Sequence, residues 1–295
     1  MQSITNPAVA VWYRRILGQR YRGTTTSFTE RRAMIQWKAW DVRLRRFEPK
    51  YQKKLTAVFW RARSVLAGRI DFNTTSLQMR IWVNDLVGRP VGEILEDLYY
   101  EVEFKFGREH LRSLLQGGKA KAADDPWEIW DPNEDPEMRA WNQTVTATKI
   151  KGISNATTAA IARLVDRAHR EGRDTAWIAR SLKKDYSFSK QRAMLIAKTE
   201  INSAANASVH YSTSRFMDTK TLWKRWLATF DARVRNSHQA ANGQKVDFDE
   251  PFKVGRARLM FPCDTKGNPP AAEVVGCRCT MTYERKRVAR RRQWS

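Results

Sequence analysis

The sequence predicts a mainly α N-terminal region followed by a small α+β C-terminal domain. Apolar residues recur at helical spacing from Phe28 to Phe216, and short β-compatible runs follow Asp218, separated by Gly, Pro and Asn turns. Hydrophobic residues make up 42% of the 295 residues, which is enough for a sizeable core. We therefore expect folded domains along most of the chain.

Gly-, Pro- and Asp-rich stretches and shifts in charge mark the predicted domain boundaries. The predicted segments are a basic and aromatic arm (1–27), a helical domain (28–116), an acidic linker or loop (117–137), a second domain (138–283) made of helices (155–217) and an α+β module (218–283), and a basic tail (284–295).

Within the helical domain, Pro49 is expected to break or kink the first helical stretch, because proline removes a backbone donor and clashes with the preceding turn. Gly68 is expected to end that stretch. Asp71 or Thr75 can then cap the helix that follows, since both side chains accept hydrogen bonds from a first helical turn.

A second helical block is predicted over 77–115, with an interruption at 88–90 where Gly and Pro occur. In the second domain, Ser154 or Asn155 is expected to begin a helix that Gly172 ends. The later helices are assigned to begin at Asp174 and Ser189. The predicted strands are TLWKRWLATF, KVDF, RLMF and CTMTY.

The charge of the chain is strongly unbalanced, with 54 Lys and Arg against 31 Asp and Glu, a formal net charge of +23. Such an excess favours an anionic partner, and nucleic acid is the first expectation because phosphate neutralisation releases counterions. A membrane surface is the second and structural RNA the third. The basic residues expected to contact nucleic acid are Arg285, Lys286, Arg287, Arg290, Arg291 and Arg292.

Two features bear on location. Apolar runs of the length needed to cross a bilayer are absent from the sequence, so no membrane span is expected. The N-terminal stretch lacks the order of a signal peptide, because Arg14 and Arg15 interrupt its apolar part. We therefore expect synthesis in the cytoplasm.

All three cysteines lie near one end of the sequence. Cys277 and Cys279 are two residues apart, so on a strand both thiols would face the same side. With Cys263 and His238 they can form a Cys₃His zinc site of the tetrahedral, structural kind. The alternatives are small buried residues that pack a compact module, or a redox-sensitive thiol pair.

Asp231 and His238 can serve as an acid–base pair, with Arg233 or Arg235 stabilising a phosphoryl oxyanion. This hypothesis gives a metal-dependent nuclease or toxin-like hydrolase whose catalytic residues are Asp231, His238, Arg235 and Glu200. The sequence has no evident second carboxylate motif for two magnesium ions and no phosphate-cradling glycine loop. We therefore favour a buried Asp–Arg–His hydrogen-bond network, and no enzyme.

Glu200 falls on the inward face of the predicted helix that begins at Ser189. One interpretation places it, together with Asn202 and Asn206, in contact with the region of Asp231 and His238. The other makes it a buried carboxylate satisfied by Arg235 or Arg278, since an inward carboxylate needs such a partner.

Three stretches occur in order: AKTEINSAAN (197–206), KRWLATFDARVRNSH (224–238) and FPCD…AAEVVGCRC (261–279). Together they resemble the Mu F-like head-morphogenesis family of tailed bacteriophages, over about 150–283. The matching residues are Ala197, Thr199, Glu200, Trp226, Asp231, Arg235, His238, Gly243, Pro262, Asp264, Cys277, Arg278 and Cys279. The departures from the pattern are Lys198, Val234, Cys263 and Gly276.

This resemblance implies a virion protein: a minor capsid protein inside the phage head, associated with the portal protein. It also implies a role in head morphogenesis and in packaging or delivery of the genome. Scaffold or major capsid protein are further implied contacts. The charge independently supports nonspecific contact with packaged double-stranded DNA. The first 150 residues carry no such resemblance.

Overall fold

The computed structural model describes residues 28–116 and 130–286. The predicted arm (1–27), most of the predicted linker (117–129) and most of the basic tail (287–295) lie outside the described residues. The predicted fold class is confirmed, with helices along the N-terminal region and a small sheet at the C-terminal end. No helix among the described residues is both long enough and apolar enough to cross a bilayer.

The first helices follow the predicted breaks. Helix α1 (Phe28–Arg45) and helix α2 (Glu48–Ala67) meet where Pro49 enters the first turn of α2, a position at which its missing N–H costs nothing. Gly68 follows the last residue of α2. Thr75 caps the next helix through a capping box with Gln78, so of the two predicted caps Thr75 is confirmed.

The predicted interruption near Gly88 is a change of helix type. Helix α3 (Ser76–Val83) continues through a π-helical segment (Asn84–Gly88) into helix α4 (Arg89–Gln116). The close approach of the Ser154 hydroxyl to Gly88 leaves no room for a larger side chain, because an added Cβ would lie 2.8 Å from its oxygen. The chain bends there without leaving the helical path.

Helix α5 (Pro136–Arg170) begins inside the segment predicted as linker or loop. Asp135 caps it by accepting hydrogen bonds from the backbone N–H groups of Glu137 and Met138, at 3.1 and 3.0 Å. The predicted start at Ser154 or Asn155 was therefore wrong. Asn155 is exposed there, and a polar residue whose side chain faces solvent is tolerated inside a helix.

The last two long helices start where predicted. Asp174 caps helix α6 (Thr175–Lys184) by accepting from Trp177 N at 2.7 Å. Ser189 caps helix α7 (Lys190–Phe216) by accepting from Arg192 N at 3.1 Å. Both are short-range hydrogen bonds of the N-cap type.

The C-terminal module (222–286) contains two small antiparallel sheets. Strand β1 (Leu222–Leu227) lies between strands β2 (Lys245–Asp247) and β5 (Thr280–Arg285), and strands β3 (Phe252–Val254) and β4 (Ala257–Leu259) form a hairpin. Two short helices, α8 (Asn236–Ala241) and α9 (Ala271–Val274), complete the module. Strands occur in all four predicted runs.

Helix α7 lies at the centre of the fold. It packs against α4 and α2, and its polar side chains reach the C-terminal module. From Trp40 onwards the described residues share one hydrophobic core, which runs from Tyr51 and Phe59 to Trp226 and Phe252. The helical region and the C-terminal module therefore both contact helix α7.

Candidate metal centre

The side-chain amide of Asn202 fixes the backbone that carries two of the cysteines. Its Nδ2 lies 3.0 Å from the carbonyl oxygen of Cys277 and 3.1 Å from that of Cys279. Its oxygen accepts a hydrogen bond of 2.9 Å from the indole N–H of Trp40. Because Asn202 is buried in the middle of α7, the Cys277–Cys279 segment is held against a rigid element.

The turn before these cysteines requires a particular backbone. Gly276 has a φ of +67°, in the left-handed region that glycine adopts without strain. Its N–H donates to the hydroxyl of Thr199 at 2.8 Å, which ties the turn to α7 as well. The following residue, Cys277, is thereby directed into the module.

His238, Cys277 and Cys279 form one buried cluster. Their ligand atoms all lie within 4.8 Å of one another. Nδ1 of His238 is 3.3 Å from Sγ of Cys279 and 3.6 Å from Sγ of Cys277. The backbone N–H of Cys279 also points to Sγ of Cys277, at 3.4 Å. Three of the four predicted zinc ligands are therefore together.

The electrostatics of the cluster favour a thiolate at Cys277. Burial alone opposes that charge, but hydrogen bonds with Cys263, Cys279 and His238 outweigh it and bring the pKa of the Cys277 thiol well below its usual value. Burial also opposes a charge on His238, yet contact with Cys277 raises the pKa of its imidazole. The thiolate of Cys277 and the protonated imidazole of His238 thus stabilise each other, and a metal cation would take the place of that proton.

Cys263 lies beside this cluster and outside it. Its Sγ is 3.5 Å from the carbonyl oxygens of both Val274 and Cys277, and 3.3 Å from Nδ2 of Asn202. Burial, followed by the contact with Cys277, raises the pKa of the Cys263 thiol well above its usual value. Cys263 is therefore placed as a neutral thiol that donates to carbonyl groups.

Glu273 lies beside Nε2 of His238, the ring nitrogen that is turned away from the thiols. Its Oε2 lies 3.2 Å from Nε2 of His238, a distance that fits an ion pair although the direction is poor for a hydrogen bond. The same oxygen accepts from the Ser237 hydroxyl at 2.7 Å. A carboxylate at this position favours the tautomer with the proton on Nε2, which leaves the lone pair of Nδ1 facing the thiols.

The residues of the hydrolase hypothesis have separate partners. Asp231 pairs with the guanidinium of Arg278, with one of two contacts at 2.9 Å, and this lowers the pKa of its carboxyl. Arg235 donates to the carbonyl oxygen of Val275. Among the described residues, no hydrogen bond or ion pair links Asp231 to His238. The predicted Asp–Arg–His network is thus replaced by two pairings, Asp231 with Arg278 and His238 with the thiols.

Glu200 is buried, but neither predicted set of partners is correct. Its carboxylate accepts from the hydroxyl of Tyr99 at 2.7 Å and from Nζ of Lys149 at 2.8 Å. These residues lie on α4 and α5, so Glu200 faces the helical region and not the region of Asp231. It ties three helices together.

Most of the predicted nucleic-acid contacts cannot be placed. Arg285 is exposed at the end of β5, and Lys286 pairs with Asp247 at 2.7 Å. The remaining four arginines, at 287 and 290–292, lie outside the described residues.

Sequence reasoning missed three contributors to this region: Trp40, Tyr99 and Glu273. Each joins the site through a partner far away in the chain; the Trp40–Asn202 bond, for example, spans 162 positions. Glu273 lies four residues before Cys277, and an acidic residue so close to a cysteine pair was the one local signal available.

Comparison with known proteins gives two matches. Residues 159–282 match the family model described as Phage Mu protein F like protein. A stretch of 116 residues is 32% identical to the NAD(+)–arginine ADP-ribosyltransferase EFV of Enterococcus faecalis, covering 37% of this chain. The chain spans only 22% of the length of that relative. No solved structure matches.

Proposed function

We propose that this chain, whose residues 159–282 match the Mu F-like family model, is a minor capsid protein of the virion. It associates with the portal protein inside the head and contacts packaged DNA without sequence preference. It acts in head assembly and in packaging or delivery of the genome. The family resemblance predicted from the motifs is confirmed; the contacts with portal and DNA are the proposal.

The proposed DNA contact is supported mainly by the basic character of the helical region. Helix α1 has five basic and two acidic residues, and helix α2 has five basic and one acidic. Lys53, Lys54 and Arg61 of α2 are exposed. A surface of this composition attracts phosphate, and the net charge of +23 exceeds what solubility requires.

A cleft between α2 and α4 concentrates this charge. Its volume is about 620 Å³, and its lining residues are Arg46, Phe47, Lys50, Glu101, Phe104, Lys105, Arg108, Glu109 and Arg112. Five of these are basic and two are acidic. The guanidinium of Arg108 lies 3.7 Å from the ring centroid of Phe104, so aromatic and cationic groups meet in the cleft. Such a combination suits a polyanionic backbone.

The first test is binding of the full chain to two unrelated DNA duplexes at increasing salt, measured by fluorescence anisotropy. We expect equal affinity for both duplexes and a steep linear fall of log K with log salt, with a slope of about −0.9 for each phosphate contacted. A flat salt response, or a clear preference for one duplex, contradicts the proposed contact.

A charge-matched pair of variants locates the contact. Arg46→Gln with Lys105→Gln removes two charges from the cleft. Lys253→Gln with Arg258→Gln removes two exposed charges from the β3–β4 hairpin. We expect the cleft variant to reduce the magnitude of the salt slope by about 2 and the hairpin variant to leave it nearly unchanged. Equal effects would show that only total charge matters.

Virion location is tested by mass spectrometry of purified mature particles, before and after their DNA is released. We expect the chain in mature particles, and crosslinks between it and the portal protein. Consistent absence from mature particles would leave a transient assembly factor and contradict the minor capsid assignment.

We propose no catalytic activity for this chain. When the purified protein is incubated with DNA or RNA and magnesium, we expect no cleavage above that of the His238→Ala variant. Cleavage by the wild type that His238→Ala abolishes would revive the hydrolase hypothesis. The ADP-ribosyltransferase activity in the name of the E. faecalis relative belongs to a much longer protein.

A further inference from the structure

We propose that Nδ1 of His238, Sγ of Cys277 and Sγ of Cys279 bind one zinc ion, with a water molecule as the fourth ligand and Cys263 excluded. The site lies at the join between helix α8 and the start of strand β5. It would tie two segments about 40 positions apart in the chain.

The spacing of the ligand atoms fits a tetrahedral ion. With zinc–sulfur and zinc–nitrogen bonds of about 2.3 and 2.0 Å, a tetrahedral angle places the sulfur and nitrogen atoms about 3.5 Å apart. The two Nδ1–Sγ distances are 3.3 and 3.6 Å. A single imidazole nitrogen has one lone pair or one proton, so it cannot form two good hydrogen bonds to separate sulfurs. One cation between the three atoms uses all of them.

The chemistry of the donors selects zinc. Two thiolates and one imidazole are soft and borderline ligands, which favour Zn²⁺ over magnesium or calcium. Two thiolate charges neutralise the ion, so the centre can be buried without leaving net charge. Glu273 supplies the outer carboxylate that commonly orients a metal-binding histidine, 3.2 Å from Nε2.

A small cavity adjoins all three ligands and has room for the fourth one. Its volume is about 80 Å³, enough for one or a few water molecules. The lining residues are Thr229, Arg233, Val234, Arg235, His238, Gly276, Cys277, Arg278 and Cys279. Thr229 is only 7% exposed, and its buried hydroxyl has no hydrogen-bond partner within the described part of the chain. A water molecule bound to the ion would give this hydroxyl its partner.

Cys263 is excluded because its thiol is already engaged. It is directed at the carbonyl oxygens of Val274 and Cys277 and contacts the Asn202 amide. Its Sγ is not among the ligand atoms that lie within 4.8 Å of one another. This predicts two sulfur ligands where the sequence pattern suggested three.

The experiment measures zinc in the full chain, purified without chelator, and in two cysteine variants. We expect about one equivalent of zinc in the wild type and in Cys263→Ala, and almost none in Cys279→Ser. Cys263→Ala is the matched control, since it removes a buried thiol from the same module. Zinc loss from folded Cys263→Ala, or a wild type that holds no zinc even after refolding with the metal, would overturn the proposal.

A measurement on the wild type alone covers the case in which Cys279→Ser fails to fold. X-ray absorption at the zinc edge should give two sulfur and two nitrogen or oxygen ligands, at about 2.3 and 2.0 Å. Three sulfur ligands would assign Cys263 to the ion. A sulfur-free shell would show a metal held elsewhere. Either result contradicts the site as described.

Discussion

The helical region and the C-terminal module are stabilised by different kinds of contact. In the helical region, fully buried apolar side chains such as Leu55, Phe59 and Leu66 pack between long helices. The module has three strands of three residues each, and its buried polar and charged residues are Lys224, Thr229, His238, Asp264 and Thr280. Strands this short bury little apolar area, so specific polar contacts carry more of the structure.

Lys224 shows how far the module depends on such contacts. Its side chain is fully buried, donates to the carbonyl oxygen of Met260 at 2.8 Å and lies over the ring of Phe252. Burial lowers the pKa of its amine to about 8. Loss of one polar side chain should therefore destabilise the module as much as loss of a large apolar side chain destabilises the helical region.

The largest effect is expected for Asn202→Ala, which removes the amide shared by Trp40 and the carbonyl groups of Cys277 and Cys279. Several buried groups would lose their partners at once, which costs on the order of 3–5 kcal/mol of unfolding free energy. Urea denaturation followed by tryptophan fluorescence measures this cost. The exposed Asn155→Ala is the control; a cost for Asn202→Ala below about 1 kcal/mol would refute the dependence on polar contacts.

Leu55→Ala tests the apolar half of the comparison. Deleting this fully buried side chain should cost about 2–4 kcal/mol through lost burial and the cavity left behind. The cost should be the same with and without a zinc chelator, because Leu55 lies in the helical region. The exposed Leu77→Ala should change stability by less than about 0.5 kcal/mol. A chelator-dependent cost for Leu55→Ala would show that the two regions do not differ as described.

The helical region also buries polar side chains, and Glu103 is one whose burial makes stability depend on pH. Burial raises the pKa of the Glu103 carboxyl to about 8, although a hydrogen bond from Asn142 opposes the shift. The folded state therefore keeps a proton that the unfolded state releases above pH ~4.5, and stability falls as the pH rises from about 4.5 to 8.

Glu103→Gln mimics the neutral acid and should remove this dependence. We expect the variant to be more stable than the wild type by on the order of 4 kcal/mol at pH 8, with the difference vanishing near pH 4.5. Urea denaturation across this pH range provides the measurement. Parallel pH profiles for the two proteins would contradict a proton held by Glu103.

The smallest effect is expected at the Asp231–Arg278 pair. Both side chains are partly exposed, so solvent screens their attraction, and Asp231→Asn should cost no more than about 1 kcal/mol. A double-mutant cycle with Arg278→Gln, which removes the charge, isolates the pair when it is measured at low and high salt. A coupling well above that value, or one insensitive to salt, would mean that the pair is part of the structural core of the module.

The sequence was sufficient for local features and insufficient for distant ones. Caps at Thr75, Asp174 and Ser189 depend on residues three positions away, so they could be predicted. The partners of Glu200 could not be, since Tyr99 and Lys149 are 101 and 51 positions away and any buried cation or hydroxyl satisfies a carboxylate equally well. The thiol cluster was predicted by residue type, but only the fold separates Cys263 from the other two cysteines.

The burial of helix α7 has a mechanical consequence. Glu200 and Asn202 are about 200° apart around the helix axis, because each residue turns it by about 100°. The Glu200 carboxylate accepts hydrogen bonds from side chains of α4 and α5. On the opposite side, the Asn202 amide donates to the backbone of the Cys277–Cys279 segment. Helix α7 is therefore held by hydrogen bonds on two opposite sides. A displacement of α4 or α5 would therefore be passed through Glu200 and Asn202 to the Cys277–Cys279 segment.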